Sequence, residues 1–509
     1  MSAAVPSDHA AAWGRPAGAA GDASRDSGRV RLARREWGLA LGLVFAIKLA
    51  FLLLDPHPRF FMGDSVTYLE TALVGSFPRD RSFVYGGLIW LFAVLPRSLH
   101  TLVVAQAAAG VASAMLVFWI TRVLLRVRFG WALAAAALVA LEPAQLFYER
   151  MIMAEAFGSV AWLGFVGCVL AYAQRGRLAW LASAVLLGIV GASLRQNAIL
   201  VAVVVPPLIP WLRERAMRGA GAGAGAGAGS GVGEWRVALV HSLVALVATT
   251  GLHVGYRHLV GHYAHSAPGY VGLAGPFELG LVVPLVRPEH FAGTQCPPDI
   301  LQRIGPPLAD PWLREVHIWR GDGLWPTMRW RCKDPEAAAR IVADRALKSD
   351  PLGLLPLAWA TVRQHFDDPS ARWRMDSDLG RNWLGDDFVF AIRELFGFDP
   401  APVPFRDTVT SRAFDGSRWW LTWAYFVTPL YVAALASRAR RRRDFPAQAF
   451  ALMTGLLFGS QLLFSHILSY RYLYAFPVLL IVAIAWWWGA PRSATAAVDA
   501  DEPQLARAA

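Results

Sequence analysis

An aspartate stands where the chain leaves its first long apolar run, in Phe60-Phe61-Met62-Gly63-Asp64-Ser65-Val66-Thr67-Tyr68-Leu69-Glu70. Beside hydrocarbon, desolvation disfavours the charged form of a carboxylate, which makes Asp64 a candidate base. The plainer reading of the same residues is a helix start, with Asp64 or Ser65 capping a helix that begins near Val66. Other polar groups stand at the ends of later apolar runs: Glu149, Glu155, Arg195, His466 and Arg471. An ionisable group near hydrocarbon costs about 2.5–3.5 kcal/mol even on lenient scales, so each needs a reason. Acids gathered with arginines suit transfer from an anionic donor to a neutral hydroxyl. One acid takes the acceptor proton while arginine holds a phosphate leaving group.

Each residue also has a plainer role. Glu149 and Arg150 are neighbours and can form a solvated pair. Glu155 opens an apolar run, where an acid meets the positive end of a helix dipole favourably. Arg195 and Arg471 can anchor at lipid headgroups, the latter among tyrosines that favour that interface. Lys48, deep in the first run, is expected to snorkel outward. Glu142, before Pro143, could help line a cavity. His258 and His262 have the i, i+4 spacing of zinc ligands, and His265 follows, but no acidic or cysteine partner is fixed by sequence. No metal site is assigned, and a divalent ion is possible without being indicated.

The elements that must position these groups are membrane helices. Of 509 residues 55% are hydrophobic and only 17% charged, and mean hydropathy is +0.38. Runs of spanning length recur throughout, which makes an all-α polytopic membrane protein the expected class. The net charge of +12 resides in arginines clustered in short loops between runs. That is the positive-inside pattern of a protein in a lipid bilayer, not a nucleic-acid surface. Lysine occurs only at 48, 333 and 348, and the abundance of Ala, Gly and Arg suggests a GC-rich bacterial source.

About ten spans are expected from length and hydropathy. Residues 1–35 read as a disordered cytoplasmic tail. Residues 36–254 form an N-terminal transmembrane module, interrupted by a Gly/Ala linker at 219–233. Residues 255–418 form a mostly helical extracytoplasmic domain, 419–489 the last spans, and 490–509 a cytoplasmic tail. The short apolar piece Val84–Leu95, ended by Pro96, reads as interfacial or re-entrant. Asp334-Pro335-Glu336 marks a helix start for a run to Lys348. Cys296 and Cys332 share the extracytoplasmic segment and can pair, with two free thiols as the alternative; Cys168 reads as an inert core thiol.

On these residues the chain resembles GT-C-fold glycosyltransferases that use polyprenyl-phosphate sugars, the group that includes protein O-mannosyltransferases and the aminoarabinose transferases of lipid A. The resemblance rests on Gly63-Asp64-Ser65 with Tyr68 and Ala72 in the first outer loop, and on Glu155 in Met153-Ala154-Glu155-Ala156-Phe157. It rests further on Arg195 in Ser193-Leu194-Arg195-Gln196-Asn197, and on Arg471-Tyr472 followed by Pro477. Ser65 stands where many relatives carry a second acid, and Gln196 follows Arg195 where proline is frequent. Residues 255–418 match no pattern of the group.

The resemblance implies an inverting glycosyltransferase in a bacterial cytoplasmic membrane, with both termini cytoplasmic and the active face outside. Asp64 would be the base, Glu155 would orient acceptor or sugar, and Arg195 and Arg471 would bind the donor phosphate. Tyr68, Glu149, His466 and Tyr472 would line the site. The partners are a polyprenyl-phosphate-linked sugar and an envelope acceptor hydroxyl on a glycolipid, polysaccharide or protein, with no organic cofactor. The absence of a Gly-rich phosphate loop fits a nucleotide-free reaction. The competing reading is a transporter or flippase of lipid-linked saccharides, whose ionisable residues should lie mid-span. A third, a membrane scaffold or acyltransferase, lacks a His-Asp acyl-transfer motif.

Overall fold

The computed structural model describes residues 19–61, 63–221 and 231–491. Among them the chain folds as helices and turns, and an isolated bridge between Arg59 and Met151 is the only strand-like pairing. Among the described residues seven helices are long and apolar enough to cross a membrane, or eight if one pair bent by 47° is a single span. The protein is an all-α, multi-pass membrane protein, because a lipid-exposed backbone must satisfy its own hydrogen bonds.

Helix α1 (Ala19–Leu54) starts well before its apolar run, so residues 19–35 are helical rather than the tail expected there. Alanine and arginine are strong helix formers, and a helix already nucleated in the apolar run extends into them at little cost. Residues 1–18 and the tail from 492 lie outside the described residues. Next come α2 (Asp64–Val74) and α3 (Phe83–Ile89), the latter continued by a π turn, Trp90–Val94, and too short to span.

The helices α4 (Leu99–Trp119), α5 (Phe129–Ala140), α6 (Pro143–Tyr148), α7 (Glu155–Arg175), α8 (Leu178–Leu194), α9 (Ile199–Gly221) and α10 (Gly231–Tyr263) follow. The apolar run of residues 130–147, expected from its length to be one span, breaks at Glu142-Pro143 into α5 and α6. Pro143 cannot donate a backbone hydrogen bond, and the Glu142 carboxylate instead accepts from Gln145 N at 2.7 Å and caps α6. Helix α8, which ends just before Arg195, has 17 residues. Neither α5 nor α8 reaches the length of the seven long helices. Of the expected Gly/Ala linker, residues 222–230 lie outside the described residues.

Helix α7 is the axis of the bundle: 83% of its apolar window is buried, against 17% for α1 and 22% for α10, which face outward. In lipid, helices associate by close approach rather than by hydrophobic burial, so small residues mark the contacts. Ala107, Gly110, Ser113 and Ala114 serve α4, and Gly158, Ala161 and Gly164 serve α7.

Between α10 and the last spans lie α11 (Ala274–Val282), α12 (Arg314–Trp319), α13 (Leu324–Arg331), α14 (Pro335–Ser349), α15 (Leu354–Gln364), α16 (Asp368–Asp378), α17 (Asp386–Phe396) and α18 (Val409–Gly416). Helix α14 starts as Asp334-Pro335-Glu336 predicts, with the Asp334 carboxylate accepting from Ala337 N at 3.2 Å. This polar segment is only partly a domain of its own. Residues 279–346 share a core of Leu279, Val283, Ile318, Leu324, Met328 and Val342. Leu384, Val389 and Ile392 instead join α2 and α3, and Met375, Leu379 and Phe414 join the bundle core. The chain ends in α19 (Arg418–Phe426), bent by 47° into α20 (Thr428–Arg441), then α21 (Phe445–Phe464) and α22 (Ala475–Gly489).

Cys296 and Cys332 are bonded, and Cys168 is free and buried. Closing a loop with a sequence separation of 36 stabilises a chain by about 3–4 kcal/mol through the unfolded state. Cys332→Ser is therefore expected to make residues 279–346 a new site of limited proteolysis while the spanning helices stay resistant. Complete alkylation of both cysteines in unreduced protein would contradict the bond.

Candidate functional site

A cavity of about 1130 Å³ opens where the helix bundle meets the polar segment. Asp64, Tyr68, Arg81, Arg195, His466, Arg471 and Tyr472 line it. Residues hundreds of positions apart thus share one wall, because the loops between α1 and α4, after α8, and between α21 and α22 lie at one end of the bundle.

Asp64 is the first residue of α2, and neither it nor Ser65 caps that helix. The cap position is Gly63, at φ +84°, a left-handed conformation that glycine adopts freely. The carboxylate turns instead to two guanidiniums. Oδ1 accepts from Arg81 Nη2, and Oδ2 accepts from Arg471 Nη1 at 2.7 Å. Burial alone would raise its pKa, as the sequence reading supposed, but the charges and hydrogen bonds of Arg81 and Arg471 prevail and hold it at about 2. Asp64 is a fixed anion in this state.

Ser65 is fully buried behind it. Its Oγ accepts from Phe61 N at 2.8 Å and donates to Ile152 O at 2.9 Å. Arg59 N donates to Arg150 O at 2.7 Å, and Ile152 N to Arg59 O at 2.8 Å. The loop carrying Asp64 is thereby stitched to the loop that leads into Glu155. A carboxylate at position 65 could not donate to the Ile152 carbonyl, which accounts physically for serine there.

Glu155 is the first residue of α7 and is fully buried. It lies behind the cavity wall, its Oε1 2.8 Å from Arg195 Nη1 but out of line for a hydrogen bond. Arg195 follows α8 in extended backbone. Its stem crosses α7 at Gly158, where a Cβ would stand 2.9 Å from Arg195 Cγ, so any larger residue would push the guanidinium off its place. The Tyr472 ring sits 5.5 Å from the Arg195 guanidinium and 5.0 Å from that of Arg471. Tyr472 Oη accepts from Arg471 Nη2 at 3.1 Å. Three N–H groups, Arg81 Nε, Arg195 Nη2 and Arg471 Nε, are buried without a hydrogen-bond partner among the described residues. His466 is neutral, its pKa pushed down to about 3 by burial and by Arg314, Arg374 and Arg471.

The polar segment sets Arg471 from the other side. Asp378 on α16 accepts from Tyr470 N at 2.7 Å and from Ser469 Oγ at 3.1 Å, and pairs with Arg374 at 3.2 Å. Arg374 in turn bonds Glu315 at 2.9 Å. Arg81, Arg374 and Asp378 escape a sequence reading. Arg81 belongs to an ordinary polar turn, Arg79-Asp80-Arg81, and the other two to a segment with no recognisable pattern.

Four expectations fail. Glu149 does not line the cavity but sits fully buried between Lys48 Nζ at 2.5 Å and Arg150 Nη1 at 3.0 Å. Lys48, only 2% exposed, does not snorkel: an acid within reach satisfies it where it stands, and no path to water is needed. Nor is Glu149–Arg150 a solvated pair, since both side chains are enclosed. Glu142 serves as the α6 cap and is no part of the cavity wall. Among the described residues no group of three or more His, Cys, Asp or Glu is disposed to hold a metal, His258 and His262 included.

No protein-family model matches this sequence, and no curated protein matches it significantly.

Ser65→Ala, by stranding Phe61 N and the Ile152 carbonyl, is expected to cost about 1–3 kcal/mol. Ser65→Asp is expected to cost more, by burying an acid against a carbonyl. Thermal unfolding in detergent reads both, and an Asp variant as stable as the parent would remove the stitch from this account.

Proposed function

We propose that this protein is an inverting glycosyltransferase of the GT-C type, moving a sugar from a polyprenyl-phosphate donor to an acceptor hydroxyl on the extracytoplasmic side of a bacterial cytoplasmic membrane. The observation that carries the reading is the Asp64–Arg471 pair beside Arg195 in one cavity: an anion and the cations able to receive a phosphate. The unpartnered N–H groups of Arg471 and Arg195 lack only an acceptor, which phosphate oxygens supply. In this reading α5–α6 and α8, short as they are, complete a bundle of about ten helices.

The acceptor oxygen attacks the anomeric carbon from the face opposite the phosphate, and its proton passes to a carboxylate oxygen of Asp64. The bond between anomeric carbon and phosphate oxygen breaks, and the electron pair leaves on a phosphate that Arg471 and Arg195 stabilise. Arg471 has both duties. As the donor phosphate draws its guanidinium, the hold on Asp64 loosens, and a carboxylate pinned at about 2 in the resting state becomes a better base when the donor is in place. Glu155 keeps Arg195 in position, and Tyr472 spaces the two guanidiniums.

Purified full-length protein in lipid nanodiscs, given radiolabelled polyprenyl-phosphate sugars and envelope acceptors, tests this. Asp64→Asn is expected to lower turnover about 10²–10⁴-fold with folding intact, the usual scale for a general base. Turnover like the parent's would remove Asp64 from the mechanism. The pH dependence has a definite sign. The folded-state pKa lies below the ordinary 3.8, so the ion pair stabilises fully above that value and is lost as pH falls toward about 2. For the free enzyme, kcat/KM should show no acid limb from Asp64 at or above about pH 4, while kcat with donor bound should show one at higher pH.

A transport reading has one observation in its favour: Lys48, Glu149 and Arg150 are enclosed charges within the bundle. They lie apart from the cavity wall and satisfy one another. Failure of every lipid-linked donor would move weight to it.

A further inference from the structure

The polar segment contributes its own residues to the cavity lining, aromatic rings as well as Arg257 and Arg374. Trp319, at the end of α12, and Trp383, in the turn after α16, both line the cavity, yet they are 51% and 83% exposed. Each indole has one aromatic neighbour. Phe277 lies 5.9 Å from Trp319, and Phe405 lies 4.9 Å from Trp383. These contacts are edge-on at 67° and tilted at 54°, so they brace the indoles without stacking on them, and two such braced, exposed rings line one cavity. Beside them stand the Asn382 carboxamide and the Glu278 carboxylate, which line the same cavity; among the described residues neither side chain makes a hydrogen bond or close ion pair, and Glu278 feels Arg340 and Arg257 only at longer range.

Exposed indoles with unspent amide and carboxylate groups match one ligand class closely. A pyranose has a flat patch of C–H groups that covers an aromatic face, and a rim of hydroxyls that both donate and accept. A peptide acceptor would call for backbone pairing, and the described residues present no open strand edge there. A purely lipid acceptor would call for an apolar wall, without free amide and carboxylate groups. We infer that the Trp319–Trp383 wall is a saccharide-binding subsite, and that the acceptor is a carbohydrate whose hydroxyl it presents toward Asp64. The identity of the acceptor rests on the glycosyl-transfer reading; the saccharide site itself does not.

Binding can therefore be measured without donor or turnover. The probes are phosphate-free tetrasaccharides (mannan, galactan, glucan and chitin fragments) and a serine/threonine-rich peptide, each read by saturation-transfer NMR on the full chain in nanodiscs. At least one saccharide is expected to bind with a Kd of about a millimolar. Trp383→Ala and Trp319→Ala are each expected to weaken it about tenfold, and Trp383→Phe, which keeps a platform, much less. Asp64→Asn should bind the saccharide like the parent while failing in transfer. Saccharide binding that persists when all lipid-linked donors fail would overturn the transfer reading and keep the subsite. No binding by any saccharide, binding of the peptide alone, or unchanged affinity in both alanine variants would overturn the subsite itself.

Discussion

A buried carboxylate in this fold must be matched, by a cation or, as at Asp55 and Glu142, by hydrogen-bond donors, and most of the architecture around the cavity follows from that constraint. Asp64 is held by Arg81 and Arg471, Glu155 lies against Arg195, Glu149 is caught between Lys48 and Arg150, and Asp378 meets Arg374. At an intermediate dielectric, opposite charges a few ångströms apart attract by several kcal/mol, enough to offset much of what desolvation costs. Asp378–Arg374 lies within α16 and Glu149–Arg150 are neighbours, but the other pairs join separate elements, so those charges also fix the register of the bundle. Lys48–Glu149 pins α1 to the turn after α6, and Asp64–Arg471 pins the first loop to the last.

The polar segment belongs to that scheme and is no mere appendage. Arg59 bonds Arg406 O at 2.6 Å and Thr408 Oγ1 at 3.1 Å, and Thr408 donates to Asp55 at 2.6 Å. Asp378 holds the backbone just before Arg471. The segment therefore grips the first loop through its last turn and the final loop through α16, while residues 279–346 keep a separate core closed by a disulfide. In the proposed transfer, one part of the segment sets the phosphate-binding arginine and another offers the acceptor wall.

The hydropathic alternation of this chain makes the membrane class legible, because a spanning helix must be apolar along its whole length. Asp64, Tyr68, Arg195, His466, Arg471 and Tyr472 meet in one cavity; for Asp64, Arg195, His466 and Arg471 the signal is physical, polar groups at the ends of apolar runs, while Tyr68 and Tyr472 follow from the resemblance. Partners were not legible. Nothing at position 48 tells that Glu149, separated by 101 residues, will satisfy it, so snorkelling was the natural expectation for a lone lysine. The charge state of Asp64 was misjudged for the same reason, since burial can be inferred from sequence but two facing guanidiniums cannot. The break at Glu142-Pro143, which turns one apolar run into two helices, is a local signal that hydropathy averages away. Ser65 looked like a missing acid until its two hydrogen bonds accounted for it.

The spacing of the Asp64 partners along the chain bears on how the protein is made. Arg81 is 17 residues away from Asp64, whereas Arg471 is 407 residues away. A ribosome delivers the first long before the second. The aspartate can therefore be neutralised by its neighbour while the early helices insert, and the second cation arrives only when the last loop has been synthesised. The cavity closes its charge balance as the final step of biogenesis. A chain cut short after α21 would carry a complete first loop with Arg81 beside Asp64 and no Arg471 to complete the pair.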